Sequence, residues 1–284
     1  MSAISVVGLG VMGGALAQAL QRGGHTLTVW NRSAGKMAPF VVNGATGAAS
    51  IDEAVTASPV VLACIDSYAT TRSLLGTEDV VALMPGRTLV QLGTGTPREA
   101  QESEEWWKSH EVKYIDGAIE CLPDAVGTEG AQYLFAGPEH SYREIEPLLE
   151  CLGGDRRYLG ENIRAPAALD LAWLSQRLGQ MIGALHGVCL CESESVDTGA
   201  FEAMLPEGDR ARILARRISD QNYTDPDATV AVWDAVASRF MEQARDAGIN
   251  GEFPDFAANI LSRAMHAGYG SEDVAALVKV LRRH

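Results

Sequence analysis

The chain has 284 residues, 46% hydrophobic and 21% charged, which is enough for two domains with sizeable cores and ordinary for a globular protein. A net charge of −14 argues against nucleic acid and anionic membrane surfaces as partners, and it requires any anionic ligand to find a locally positive pocket. The five cysteines are odd in number and lack metal-ligand spacing, and no basic flank precedes the first apolar run, so a cytoplasmic protein with reduced thiols and no metal is expected.

Residues 3–8 (AISVVG) read as a buried strand, followed by a helix from about Met12 to Gln21, a strand His25–Trp30 and a helix Ala34–Val42. A helix start at Ser50-Ile51-Asp52-Glu53, a strand Val60–Ala63, a helix Thr71–Leu75 and a strand Thr88–Leu92 continue the alternation. Thr96-Pro97-Arg98-Glu99 combines a capping box with a proline at the first helical position. Strands Lys113–Asp116 and Gln132–Ala136, a helix Ser141–Leu152 and a short strand Arg157–Leu159 follow. Such alternation predicts a mostly parallel, doubly wound sheet.

From about Gly160 onward only helical periodicity remains. A long apolar helix spans roughly 164–195, and further helices are expected at 198–220, 226–247, 252–267 and 272–283, jointed at Gly248, Gly251 and Gly268. The expected organisation is an α/β Rossmann-type dinucleotide-binding domain (1–160), an inter-domain helix (161–195) and an all-α C-terminal domain (196–284). Asp170, Gln176, Arg177, Gln180 and His186 interrupt the long helix too often for a membrane span, so it needs cover from protein. Its Gly179, Gly183 and Gly187 form one stripe, and each glycine costs about 1 kcal/mol against alanine, which close approach of another helix can offset. Asp170 falls on roughly the opposite face, one turn from Trp173 and Leu174, so its carboxylate is paired, exposed in a cleft or pushed toward the neutral form.

Gly8-Leu9-Gly10-Val11-Met12-Gly13 is a G-x-G-x-x-G sequence after a strand and before a helix, the context in which its backbone cradles a pyrophosphate at the helix N-terminus. The second strand ends in Trp30-Asn31-Arg32-Ser33, with Lys36 one turn later. No carboxylate stands there to hold ribose hydroxyls and repel a 2′-phosphate, while Arg32, Ser33 and Lys36 suit one, so NADP(H) is the expected cofactor.

Gly8–Gly13, WNRS at 30–33, GTGTP at 93–97, YIDGAI at 114–119, LDLAWLS at 169–175 and GINGEFPDF at 248–256 together resemble the imine reductases and reductive aminases, a branch of the β-hydroxyacid dehydrogenase superfamily. The hydroxyacid branch carries a catalytic lysine in the long helix and an asparagine four residues on. This chain has lysines only at 36, 108, 113 and 279, Leu174 stands in the asparagine's place, and Asp170 stands in the lysine's, as in aspartate-type imine reductases. The resemblance implies NADPH-dependent hydride transfer to an imine or iminium, with Asp170 stabilising or protonating the cation. It also implies a homodimer whose long helices and helical domains pack reciprocally against the partner's dinucleotide domain.

Further positions take roles from the same resemblance. Thr94 lies at a place near the nicotinamide, or is a turn hydroxyl, and the loop Cys64-Ile65-Asp66 passes beside the cofactor with backbone contact. Glu120 either meets a substrate ammonium or faces water. Leu122 and Trp173 join it among substrate positions. Leu178 replaces the tyrosine of fungal-type reductive aminases, which removes a second proton donor. Trp233 is either substrate-facing or a core tryptophan. The acidic segment 191–197 is a solvated helix end.

Overall fold

The computed structural model describes residues 3–282. Its eight strands are β1 (Ala3–Val7), β2 (Thr26–Trp30), β3 (Thr46–Gly47), β4 (Val60–Ala63), β5 (Thr88–Gln91), β6 (Lys113–Ile119), β7 (Gln132–Ala136) and β8 (Asp155–Tyr158). They form one sheet in the order β3-β2-β1-β4-β5-β6-β7-β8, parallel throughout except for the β6–β7 pair. The order reverses at β1, between β2 and β4. In an open α/β sheet that is where a crevice forms beyond the carboxyl ends of the strands.

The period of two sorts each strand's side chains onto two buried faces. Ile4, Val6, Leu62, Val90 and Ile115 pack on one side with Leu16, Leu20 and Tyr142, whereas Val7, Val61, Ala63, Leu89 and Tyr114 pack on the other with Trp107. Asp116 lies two residues beyond Tyr114 and is fully buried.

Several elements differ from expectation for physical reasons. β3 is two exposed residues, too short to show any period. β6 runs three residues past Asp116 because Gly117 pairs with Phe135 of β7, and a side chain there would strike the Leu134 carbonyl at 2.8 Å. The expected helix at 34–42 is a 3-10 turn, Ala34–Met37, followed by the short helix Ala38–Val42. The helix expected at 141–152 runs Glu139–Leu149 and ends in a 3-10 turn, Glu150–Leu152. The capping box is present: the Thr96 hydroxyl accepts from the Glu99 N–H at 3.2 Å, and the Glu99 carboxylate accepts from the Thr96 N–H at 2.7 Å.

The chain divides into two compact units, one up to Asp170 and one from Leu171 on. The division falls inside the long helix, Ala165–Ser193. In the second unit Leu178, Met181, Leu185 and Val188 pack with Leu214, Val230, Phe240, Leu261 and Leu277. The expected helix 198–220 is two helices, Thr198–Met204 and Arg210–Ser219. Pro206 and Gly208 (φ +78°) interrupt it, and Asp209 caps the second piece by accepting from the Ala211 N–H at 2.8 Å. The next two helices are Val230–Ala247 and Glu252–His266, and Gly248 takes the left-handed conformation between them. The last expected helix, 272–283, is a 3-10 turn, Val274–Leu277, and a short helix, Val278–Leu281; residue 283 lies outside the described residues. A side chain at Gly187 would meet the Phe201 ring at 2.7 Å and one at Gly179 would touch Phe253 at 3.5 Å, while Gly183 faces open space. Among the described residues no helix is long and apolar enough to cross a membrane.

Candidate active site

The three glycines of the first turn are small for different reasons. Gly8 has φ +96°, and a Cβ on it would lie 2.3 Å from the Cys64 carbonyl oxygen. A Cβ on Gly13 would lie 2.0 Å from the Gly8 carbonyl oxygen, so the helix Val11–Arg22 can sit on the turn only without one. At Gly10 nothing in the protein lies within 4 Å of a Cβ. No contact within the protein therefore requires a glycine there. Gly10 also caps the helix without a side-chain bond, and the first turn carries no acid, leaving N–H groups and the positive end of the dipole for an anion.

A cavity of ≈ 480 Å³ opens at this turn. Gly8, Gly10, Asn31, Arg32, Ser33 and Lys36 line one side, and Cys64, Ile65 and Asp66 line another. Two cations against one carboxylate make it the positive pocket that a chain of this net charge needs for an anion. Arg32, Ser33 and Lys36 are exposed and grouped by the tight turn in which the Lys36 N–H donates to the Ser33 carbonyl at 3.0 Å. Asn31 ties the glycine turn to the end of β2, since its Oδ1 accepts from the Leu9 N–H at 2.9 Å and its Nδ2 donates to the Ser33 carbonyl at 3.2 Å. Burial pushes the Cys64 thiol up to about 12, so it stays neutral, consistent with backbone rather than thiol contact.

Leu9, Val11, Met12, Gly13 and Thr94 do not line this cavity. Leu9 and Gly13 are buried under the turn, and Val11 is 82% exposed at the helix start. Sequence reasoning missed Thr70, Ser73 and Leu74, which line the cavity from the helix Tyr68–Leu75. The signal was the Ser67-x-x-Thr70 start, where the Ser67 hydroxyl accepts from the Thr70 N–H at 3.1 Å.

Thr94 sits in a turn clamped from both sides. A Cβ on Gly93 would lie 2.7 Å from the Ile65 carbonyl oxygen, and one on Gly95 would lie 2.3 Å from the Tyr68 ring. The Tyr68 phenol reaches across to Asp116 and donates to its two carboxylate oxygens at 2.9 and 2.8 Å, and the Tyr114 phenol donates to Oδ2 at 2.9 Å. Burial pushes Asp116 up to about 8, although the two phenols pull the other way, and Asp170 and Glu104 add to the rise. Burial, followed by the Asp116 charge, holds both phenols well above their usual range.

Asp170 is 6% exposed, and its charge is felt at both Tyr68 and Asp116. One turn earlier on the same helix, Ala167 packs with Tyr68 and Ala100. Of the positions expected near a substrate, Glu120 directly follows β6, with its N–H donating to the Gln132 carbonyl at 2.9 Å, and both of its carboxylate oxygens are buried, so it does not face water. Leu122 is 52% exposed. In the second unit Trp173 carries the Arg177 guanidinium 4.4 Å from its ring centroid. Leu178 and Trp233 are both buried among the core residues of the helical unit.

A doubly wound sheet with a glycine turn at its reversal point, an uncapped helix start and a positive pocket beside it has the architecture of a dinucleotide-binding fold. Comparison with known proteins carries this further. Residues 3–160 match the NAD binding domain of 6-phosphogluconate dehydrogenase, and residues 162–283 match the C-terminal domain of NADPH-dependent reductive aminase-like proteins. An NADPH-dependent reductive aminase from Aspergillus oryzae is 29% identical over 98% of this chain and 97% of its own. The structure of a reductive aminase from Aspergillus terreus in complex with NADPH4, cyclohexanone and allyl amine is 30% identical, with a TM-score of 0.66 over 99% of each chain. An imine reductase from Myxococcus stipitatus in complex with NADP+ is 28% identical, with a TM-score of 0.70 over 98% of this chain and 99% of that one. Solved 3-hydroxyisobutyrate dehydrogenases at 19% and 18% identity superpose with TM-scores of 0.87 and 0.86, which shows the shared fold. The chain belongs to the imine reductase and reductive aminase family.

Proposed function

We propose that the protein is an NADPH-dependent imine reductase that converts a cyclic imine or iminium to the amine, with Asp170 as its catalytic carboxyl. The observation that carries this reading is Asp170 itself, buried and in electrostatic reach of a second buried acid, on a helix that has no lysine. Oxidation of an alcohol needs a group to accept its proton, and the hydroxyacid branch uses lysine there. Reduction of C=N instead needs a group that holds positive charge on nitrogen, because the protonated iminium is the better hydride acceptor.

NADPH would supply the hydride from the C4 of its nicotinamide. Gly8, Gly10 and the first turn of the helix Val11–Arg22 would hold the pyrophosphate, and Arg32, Ser33 and Lys36 the 2′-phosphate. The Gly93-Thr94-Gly95 turn is clamped by Ile65 and Tyr68, and Thr94 on it would meet the nicotinamide end of the cofactor. Asp170 holds the substrate's cationic nitrogen as a carboxylate or supplies its proton. In the first unit Glu120 and Leu122 are the side chains offered to the substrate, and Glu120 would take an ammonium group. Leu178 and Trp233 are read as packing residues.

The protein would act as a homodimer with reciprocal packing of the long helix and helical unit against the partner's dinucleotide unit; light scattering on the purified protein tests this. Five free cysteines support a cytoplasmic setting. A β-hydroxyacid dehydrogenase is the second reading, favoured by the fold and opposed by the missing lysine. The test is cofactor consumption, with NADPH and five- and six-membered cyclic imines first, then NADP+ and small β-hydroxy acids. Turnover in the first set alone supports the proposal. Turnover in the second alone reverses it, and binding of NADPH with no turnover in either points to a non-catalytic NADPH-binding regulator.

A further inference from the structure

The turns at the carboxyl ends of β2, β1, β4 and β5 stand side by side along one edge of the sheet. Their contacts make the row continuous. Arg32, Ser33 and Lys36 follow β2, and Asn31 ties that segment to the glycine turn after β1. A Cβ on Gly8 would lie 2.3 Å from the Cys64 carbonyl oxygen after β4, and one on Gly93 after β5 would lie 2.7 Å from that of Ile65. A dinucleotide carries one nucleoside on each side of its pyrophosphate. With the 2′-phosphate among the cations after β2 and the pyrophosphate at the turn after β1, the nicotinamide half extends toward β4 and β5.

That end of the row rests on one aromatic ring. A Cβ on Gly95 would lie 2.3 and 2.4 Å from two ring carbons of Tyr68, so the turn can sit against the ring only as glycine. The ring is fixed at its far end. Its phenol donates to both oxygens of Asp116, at 2.9 and 2.8 Å, and the Tyr114 phenol donates to Oδ2 at 2.9 Å. All three side chains are buried. Asp116 is the register partner of Gln91, the last residue of β5, so the anchor stands on the strand beside the turn it steadies. Tyr68 also opens the helix Tyr68–Leu75, whose Thr70, Ser73 and Leu74 line the cofactor cavity.

We infer, on the cofactor placement given above, that Tyr68 and Asp116 are positioning residues for the nicotinamide half of NADPH. Asp116 acts through Tyr68: it holds the ring that supports the Gly93-Thr94-Gly95 turn, and the turn is the wall that the dihydronicotinamide meets. The adenosine half is held by residues 8–36 and does not depend on this tether.

Titrations without substrate test this in the wild type, Tyr68→Phe, Asp116→Ala and the double variant. The probes are NADPH and adenosine 2′,5′-bisphosphate, which carries the adenosine half alone. Tyr68→Phe keeps the ring and cuts the tether. It should weaken NADPH by roughly 3–10-fold, the loss of one hydrogen bond, and leave the bisphosphate within about twofold. The fluorescence of bound NADPH, which reports the dihydronicotinamide ring, should move toward that of the free cofactor. Because Asp116 acts through the phenol, Asp116→Ala should weaken NADPH by less than about twofold once Tyr68→Phe is present. Equal loss of both probes, unchanged NADPH affinity in Tyr68→Phe, or fully additive losses would overturn the inference. Should Asp116→Ala fail to fold, Tyr68→Phe with the two probes still decides. A protein that shows the split between probes but reduces no imine would lose the functional reading alone. One that reduces imines and binds NADPH equally with and without the phenol would lose this inference alone.

Discussion

The groove at the glycine turn and the pocket around Asp116 belong to the same α/β unit and treat charge in opposite ways. The groove is open and carries Arg32 and Lys36 against Asp66, and the helix that starts beside it at Val11 has no side-chain cap. Asp116 is fully buried, and the acids Asp170 and Glu104 and the phenols of Tyr68 and Tyr114 bear on it. A solvated groove can recognise a polyanion because every group in it is already charged and accessible. A buried pocket instead makes ionisation itself expensive, and that is the property a site needs when its work is to decide where a proton sits.

The sharpest way to break this contrast is to remove the buried acid. The folded protein raises Asp116 from 3.8 to about 8, so it favours the protonated form. The stabilisation this gives is complete below about pH 4 and is lost as pH rises through 8. Wild type should lose on the order of several kcal/mol between pH 5 and 9 that Asp116→Asn does not lose, read by urea unfolding at both pH values. A parallel decline in the two proteins would place the titration elsewhere.

On the groove side, Gly13→Ala and Gly10→Ala separate fold from ligand. The Gly13 side chain would lie 2.0 Å from the Gly8 carbonyl, so the helix must move off the turn. A cost of about 2–3 kcal/mol, seen as roughly 100-fold weaker NADPH binding together with a lower Tm, is expected. Gly10→Ala meets no protein atom within 4 Å and should keep its Tm while still weakening NADPH in a fluorescence titration. Equal affinity in Gly10→Ala would mean that no pyrophosphate approaches there.

Arg32→Ala should cost NADPH about 10–100-fold in affinity and leave NADH nearly unchanged, since a charge-assisted hydrogen bond is worth about 1.5–3 kcal/mol. Equal losses for the two cofactors would remove the 2′-phosphate assignment. The smallest effect concerns the turn that carries Thr94. Thr96→Ala removes one side of the capping box and should cost about 1 kcal/mol, or roughly 2–4 °C in Tm.

The groove can be read from the sequence because its parts are local. Gly8–Gly13 occupy one turn, residues 31–36 another, and the Thr96–Glu99 box four consecutive positions. The Asp116 pocket cannot be, because Tyr68 and Asp116 are 48 residues apart and meet only once β6 and the helix Tyr68–Leu75 are in place. YIDGAI shows itself only as a family motif, with no hint that its acid is buried. For Leu178 and Trp233 periodicity shows that the side chain faces inward and no more, because an apolar side chain in a core and one in a substrate site follow the same helical spacing. The break at Pro206–Asp209 is legible in its residues, although helical periodicity on either side reads through it as one continuous helix.

A carboxyl at position 170 is proposed to do the work that relatives acting on alcohols give to lysine. Steady-state imine reduction and NADPH binding in Asp170→Ala test this most directly. The expected result is a fall in kcat on the order of 10²–10³-fold, as for removal of one charge-stabilising group, with NADPH affinity changed by no more than about twofold. A variant that reduces the imine at the wild-type rate would contradict it.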